Sequence, residues 1–107
     1  MFQSFATERE KVFEIRKAIM RGNPVLVEFW ADPSFVNTDA VPLWEPTRSD
    51  NKVLYALLIT AYDETRQAFE VMGSWGSTWA NNGYLWVSYQ DMANAAAHGY
   101  VMIPNTY

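Results

Sequence analysis

The sequence contains no cysteine among its 107 residues. This absence excludes disulfide bonds, zinc–thiolate sites and a thiolate nucleophile supplied by this chain. Its single histidine is His98, which follows a run of alanines. One imidazole, without cysteines or carboxylates at calcium-loop spacing, makes a poor metal site. We therefore expect no metal, and we expect His98 to lie at the surface or at a helix end.

Positive charge is also scarce, since 8 Lys and Arg residues stand against 12 Asp and Glu residues and the net charge is −4. Nucleic-acid affinity depends on neutralising phosphates, so we expect no nucleic-acid partner. No apolar run reaches the ~18 residues of a membrane span, and the N-terminus lacks a signal-peptide pattern. These features predict a cytoplasmic protein that does not bind membranes.

Motifs that bind phosphates or place a catalytic serine are missing as well. The chain has no Gly-rich phosphate loop and no Ser-centred elbow between a strand and a helix. We therefore expect no cofactor and no small-molecule substrate. What the chain does have is a composition that is 50% hydrophobic and 16% aromatic. This composition predicts one small domain, residues 1–107, with a packed core.

The N-terminal part of the sequence predicts a helix with both ends marked. Thr7 and Glu10 have the spacing of a capping box. Gly22 suits a left-handed stop, and Pro24 cannot continue a helix. Apolar residues at helical spacing predict the face that packs inward, namely Val12, Ile15, Ile19 and Met20.

Strands dominate the rest of the sequence. Residues 25–31 alternate between two faces, and residues 53–63 are apolar on both faces, as in a central buried strand. Asn82–Gly83 is typical of a tight hairpin turn. Residues 90–98 have the composition of a short helix, and residues 99–104 that of a final strand. The predicted fold is α+β, with an N-terminal helix and a mostly antiparallel, partly closed, barrel-like sheet.

Residues 32–51 form a long segment with three prolines and no sustained periodicity. Loops of this length are uncommon in compact domains and often bind ligands or act as lids. We expect its apolar side chains to hold it against the body of the domain; these are Phe35, Val36, Leu43 and Trp44.

Residues 55–89 resemble the C-terminal half of papain-like cysteine peptidases, the C1 family. Ser74, Trp75 and Gly76 match three of the four residues of the family's Asn-Ser-Trp-Gly signature. Further matches continue in register at Ala56, Leu57, Leu58, Tyr62, Asp63, Trp79, Gly83, Tyr84, Trp86 and Tyr89. Residues 14–35 are similar to the preceding helix and strand of bacterial members. The resemblance implies the fold of the family's barrel-like half.

Three catalytic residues of that family are not found here. The resemblance implies that Tyr55 stands at the position of the histidine base, and Gly73 at that of the asparagine that orients it. The nucleophilic cysteine belongs to the family's N-terminal half. A tyrosine titrates near ~10 and stays protonated at neutral pH, and Gly73 has no side chain with which to orient a base. The sequence therefore predicts that the chain is not an enzyme.

The leading hypothesis is a non-catalytic interaction or structural module. In the family, two halves pack together, so the half resembled here has an apolar face that needs a cover. We expect that cover to be a protein partner, a second copy or the 32–51 loop, with Tyr55, Trp75 and Trp44 in the contact. For Tyr55 the sequence leaves open a buried role with a locally bonded hydroxyl. Two alternatives also remain: an inhibitor or decoy of papain-like peptidases, and the second subunit of a split peptidase.

Overall fold

The computed structural model describes residues 7–47 and 50–102. Within them, an antiparallel sheet of five strands has the order β4-β3-β2-β1-β5. The elements in chain order are α1 (Glu8–Met20), β1 (Val25–Ala31), a 3-10 turn (Pro33–Asn37), β2 (Val53–Asp63), β3 (Ala68–Met72), β4 (Tyr84–Ser88), α2 (Tyr89–Ala95) and β5 (Ala96–Val101). The predicted α+β class is confirmed. The sheet is open rather than partly closed, because no pairing between described residues joins β4 to β5.

Helix α1 begins and ends where the sequence predicts. The Thr7 side chain accepts a hydrogen bond from the Glu10 amide at 3.1 Å. At the other end Gly22 has a φ of 81°, and the amide of Asn23 donates to the carbonyl of Ala18 at 3.0 Å. These bonds satisfy backbone groups that a helix end would otherwise leave unpaired.

The inward face of α1 differs in part from the prediction. Its buried residues are Lys11, Ile15 and Ala18. Met20 is 72% exposed, although its spacing from other apolar residues suggested that it packs inward. The reason is angular: Met20 follows Ile15 by five residues, about 140° further around the helix at 3.6 residues per turn.

Among the residues that the structure describes, the helices cover one face of the sheet only. Val25, Val27 and Phe29 of β1 are fully buried, and they pair with Ile59, Leu57 and Tyr55 of β2. The helices pack against this side. Strand β2 is central in the sheet, as predicted, but the prediction that both of its faces are buried is wrong. Leu54 and Ala56 are exposed, because both helices pack against the opposite face.

The segment between β1 and β2 is ordered by short-range and long-range hydrogen bonds. The Asp32 carboxylate accepts from the Ser34 amide at 2.7 Å and caps the 3-10 turn. Further along, the Trp44 amide donates to the Trp86 carbonyl at 2.9 Å. Phe35 and Trp44 are buried as predicted, whereas Leu43 is exposed.

The Asn82–Gly83 turn has the predicted geometry. Asn82 and Gly83 have φ values of 55° and 93°, which is the left-handed region that asparagine and glycine tolerate best. The flanking residues Asn81 and Tyr84 exchange two backbone hydrogen bonds, of 2.9 and 3.1 Å. The turn leads directly into β4, whose first residue Tyr84 pairs with Met72 of β3.

The C-terminal elements are shifted by a few residues from their predicted positions. Helix α2 ends at Ala95 and β5 begins at Ala96, so His98 lies on a strand and not at a helix end. Positions 103 and 104 of the predicted last strand are outside the described residues. Neither described helix is long and apolar enough to cross a lipid bilayer.

Candidate functional site

Six aromatic rings meet at one end of the covered sheet face and form what we call the aromatic cluster. Its members are Phe29, Phe35, Trp44, Tyr55, Trp75 and Trp79. Phe35 is the hub. Its ring centroid lies 5.4 Å from Phe29, 5.5 Å from Trp44, 5.7 Å from Tyr55, 5.9 Å from Trp75 and 5.4 Å from Trp79. Such tilted and edge-on contacts contribute beyond the area that they bury.

Tyr55 lies between two of these rings. Its centroid is 5.7 Å from Phe35 and 5.7 Å from Trp75, and the side chain is half-buried. No described residue hydrogen-bonds its hydroxyl. Of the two roles that the sequence left open for Tyr55, the described residues provide aromatic packing, and none of them is a local partner for the hydroxyl.

Gly73 lies directly under the indole of Trp75. A Cβ added at residue 73 would overlap the six-membered ring of Trp75. Gly73 does not have a positive φ, so the backbone alone does not require glycine here. The position of the Trp75 ring is what requires a residue without a side chain.

Trp44 is a core residue. It is only 9% exposed, and its ring packs edge-on against Phe29 at 5.2 Å. The ring thus packs in the core, and a contact of Trp44 with a protein partner stays a prediction. Trp75 is half-buried and stacks at a tilt on Trp79 at 4.9 Å.

The six rings of the aromatic cluster are two phenyl groups, three indoles and the phenol of Tyr55. The cluster's polar contacts serve structure, as in the indole N–H of Trp79, which donates to the Phe35 carbonyl at 2.8 Å. The cluster therefore packs the 32–47 segment against the sheet, and we assign it no chemical step.

The second notable surface is the side of the sheet opposite the two described helices, which we call the open sheet face. One row of side chains crosses all five strands on this side. The pairing register places them in the order Tyr100, Leu26, Leu58, Met72 and Tyr84. Neighbouring strands are about 4.8 Å apart, so the row is about 19 Å long. Its outer members Tyr100 and Tyr84 are 48% and 39% exposed, and the inner three are half-buried.

Apolar surface continues from this row toward one end of the sheet. Trp30 pairs with Leu54 across β1 and β2 on the same side, and both side chains are exposed. The alternation of residues along β1 and β2 predicts that Trp30 and Leu54 point to the face opposite the buried residues of the same strands. It did not show that no described helix covers their side of the sheet.

The open sheet face also carries polar groups, among them Glu70, which pairs with Trp86 across β3 and β4, and Glu28. Glu28 pairs with His98 across β1 and β5, and its carboxylate lies 3.3 Å from the His98 Nδ1. The Tyr100 hydroxyl donates to the same carboxylate oxygen, also at 3.3 Å. His98 and Tyr100 thus both approach the carboxylate of Glu28. Among the described residues no group of three histidine, aspartate or glutamate side chains comes together as a metal site would require.

Comparison with known proteins identifies one family. The family model described as papain family cysteine protease matches residues 2–104. The uncharacterized peptidase C1-like protein L477 of Acanthamoeba polyphaga mimivirus is 26% identical over 97 residues, which cover 87% of this chain and 31% of that protein. Gamete and mating-type specific protein A of Dictyostelium discoideum is 25% identical over 76 residues, or 71% of this chain and 17% of that protein.

Solved structures give the same fold. Xylellain, a cysteine protease from Xylella fastidiosa, superposes with a TM-score of 0.65 at 25% identity, over 84% of this chain and 36% of that one. Digestive procathepsin L 3 of Tenebrio molitor superposes with a TM-score of 0.63 at 20% identity, over 86% of this chain and 32% of that one. The chain therefore spans about a third of the length of the first curated relative and of both proteases.

Proposed function

Because the chain belongs to the papain family of cysteine proteases, we propose that it is a non-catalytic half-domain of that family, which binds a protein partner through the open sheet face. The partner is either a second copy of the chain or a different protein. The observation that carries this proposal is the apolar row that crosses all five strands and has no cover among the described residues.

The non-catalytic part of the proposal depends on three positions of the family's chemistry. The chain has no cysteine. We assign Tyr55 to the position of the base and Gly73 to that of the residue that orients it. Even with a cysteine from elsewhere, the base would be a phenol packed between Phe35 and Trp75, and the space of an orienting side chain would hold the Trp75 ring.

The binding part follows from the energetics of apolar surface. Contiguous apolar patches beyond a few hundred Å² are rare on monomers and usually mark a contact. A partner that removes roughly 400 Å² of apolar surface gains about 10 kcal/mol before the losses of association are subtracted. That gain is comparable with the whole stability of a small domain.

The contact centre in this proposal differs from the one that the sequence suggested. Tyr55 is on the side of β2 that faces the core, together with Leu57 and Ile59, whereas Leu54 and Leu58 are on the open sheet face. Tyr55 and Trp75 each keep part of the ring accessible. An extension of the contact to these two rings stays a prediction.

Multi-angle light scattering after size exclusion tests the proposal, combined with binding of a hydrophobic dye. Leu58→Asp places a charge at the centre of the apolar row, and Leu43→Asp places the same charge on an exposed loop. We expect the wild-type protein either to have a mass above the 12.3 kDa of one chain or to bind the dye as a monomer. Leu58→Asp should reduce either signal and Leu43→Asp should not. A wild-type monomer that binds no dye would refute the proposal.

A further inference from the structure

Helix α1 carries a second stripe of side chains that does not face the sheet. Phe13, Arg16, Lys17 and Met20 recur at intervals of three and four residues, so they share one side of the helix. Arg21, the residue that caps the C-terminal end of α1, extends this stripe. The residues that pack into the core, Ile15 and Ala18, are on another side. This stripe borders a groove whose far wall is formed by Tyr62 and Glu64, and we call this site the α1 groove.

The apolar members of the α1 groove are unusually exposed. Phe13 is 55% and Met20 is 72% exposed, and Tyr62 is half-buried beside them. The site is concave, with a volume of about 590 Å³. Concave sites with apolar walls and a few polar groups are typical of ligand-binding pockets. The space is sufficient for one or two apolar side chains of a bound segment.

The charge of the α1 groove is opposite to that of the whole chain. Arg16 is bound to the Glu64 carboxylate at 2.9 Å. Lys17 and Arg21 make no ion pair or side-chain hydrogen bond with any described residue. The groove thus carries three cations and one carboxylate, whereas the chain has a net charge of −4.

A purely structural explanation accounts for only part of this arrangement. Cations near the end of α1 interact favourably with the negative end of its dipole. The dipole explains Lys17 and Arg21, but it gives no reason for Phe13 and Met20 to be exposed between them. Apolar side chains alternating with cations that no described residue pairs form a surface that matches an acidic segment with an apolar anchor.

We propose that the α1 groove binds an acidic peptide segment of another protein, with one apolar side chain inserted between Phe13 and Met20. Lys17 and Arg21 hold the carboxylates of the segment, and Arg16 and Glu64 fix the opposite rim. A peptide fits better than an anionic membrane, because the site is a concavity in a chain of negative net charge, and both features oppose docking on a flat anionic surface. The α1 groove and the open sheet face are on opposite sides of the sheet, so this proposal is independent of the proposed function.

Fluorescence anisotropy with the full chain tests the inference. The probe is a fluorescein-labelled peptide, Glu-Asp-Glu-Leu-Phe-Glu-Asp. One control peptide replaces every acidic residue by its amide, and another replaces Leu-Phe by Gly-Ser. We expect saturable binding of the probe in the range of about 10–100 μM, weakened by added salt. Each control peptide should bind at least ~10-fold more weakly.

Variants of the protein assign the binding to the groove. The double variant Lys17→Glu/Arg21→Glu should weaken binding of the probe at least ~10-fold, and Met20→Ser should weaken it about 5-fold through the lost apolar contact. Lys52→Glu, an exposed cation elsewhere, should leave it unchanged. Circular dichroism checks that each variant is folded, and Met20→Ser alone tests the groove if the double variant does not fold.

Three outcomes would overturn the inference. The first is no saturable binding of the probe up to about 1 mM. The second is binding that the groove variants do not weaken. The third is binding of the wild-type chain to phosphatidylserine vesicles without binding to the peptide, which would assign the groove to an anionic lipid surface.

Discussion

The six-membered ring of Trp75 occupies the space in which a Cβ on residue 73 would lie. Gly73 and Trp75 are therefore a matched pair: the indole reaches the aromatic cluster only because residue 73 has no side chain. From there Trp75 contacts Tyr55, Phe35 and Trp79. If Gly73 and Tyr55 stand at former catalytic positions, the space of a hydrogen-bonded pair has been filled by aromatic packing.

Replacing Gly73 by asparagine should displace the Trp75 ring. Overpacking of this kind typically costs about 1–3 kcal/mol of unfolding free energy, and a displaced indole should give a red-shifted fluorescence emission. Urea unfolding monitored by circular dichroism measures the first effect. Ser74→Asn is the matched control, because Ser74 is exposed, and it should change stability by less than about 0.5 kcal/mol. An unshifted emission together with unchanged stability would contradict the packing described here.

Lys11 should contribute to stability by joining the two helices. Its ammonium donates hydrogen bonds to the carbonyls of Ala93 at 3.1 Å and Ala96 at 2.7 Å, at the C-terminal end of α2. Lys11→Met keeps most of the aliphatic chain but leaves these buried carbonyls without this donor, which should cost about 1–3 kcal/mol. Chemical denaturation measures the change. Lys17→Met on the same helix is the control, since Lys17 is exposed and should have little effect.

The pH dependence of Lys11 has a definite sign. Burial is the main reason that the pKa of Lys11 is lowered, and Glu8 opposes it. The unfolded chain therefore holds this proton to a higher pH than the folded one, and the wild-type chain should gain stability relative to Lys11→Met as the pH rises toward about 10.4. A relative loss of stability over the same range would count against the burial of a charged Lys11.

Tyr89 should titrate well above an ordinary tyrosine. Burial, followed by the hydrogen bond from its hydroxyl to Glu64 at 2.8 Å, raises the pKa of Tyr89 to about 12. The folded pKa lies above the unfolded value, so this stabilisation is fully present below about pH 10 and is lost as the pH rises through about 12. The absorbance difference between the wild-type chain and Tyr89→Phe measures the midpoint, with circular dichroism as the check that the chain is folded.

The reference for that titration is Tyr84→Phe, which removes an exposed tyrosine and should leave the step at about 12 in place. A midpoint near 10 in the folded chain would contradict the hydrogen bond.

The same bond lowers the pKa of Glu64, with a smaller contribution from Arg16. The stabilisation from Glu64 is thus present above the ordinary carboxyl pKa and is lost as the pH falls through the lowered value.

Much of the secondary structure could be predicted because it depends on neighbours in the chain. The Thr7 cap, the glycine after α1, the alternation in β1 and the Asn82–Gly83 turn each involve residues within a few positions of one another. The predictions of burial were wrong where one sequence pattern is compatible with two orientations of a side chain. Met20 has helical spacing whether it faces the core or the α1 groove. Strand β2 is apolar on both sides, so its sequence does not predict which side the helices cover.

The candidate site was likewise predicted only in part. The sequence singled out Tyr55, Gly73, Trp75 and Trp44, but it did not show that Phe35 joins them. Phe35 contacts Tyr55 from 20 positions earlier in the chain and Trp79 from 44 positions earlier, and no local signal reports such distances. The match between Gly73 and Trp75 likewise depends on where the indole lies.

By itself, the sequence determined the family, the antiparallel α+β scaffold and the lack of a thiol, because these depend on residue identity and on short-range backbone preferences. The tertiary structure alone decided that both helices cover the same side of the sheet. That arrangement leaves Leu26, Leu58 and Met72 on a side of the sheet that no described helix covers, whereas Trp44 packs in the core. Burial is the outcome of packing among segments far apart in the chain, so no window of sequence contains it.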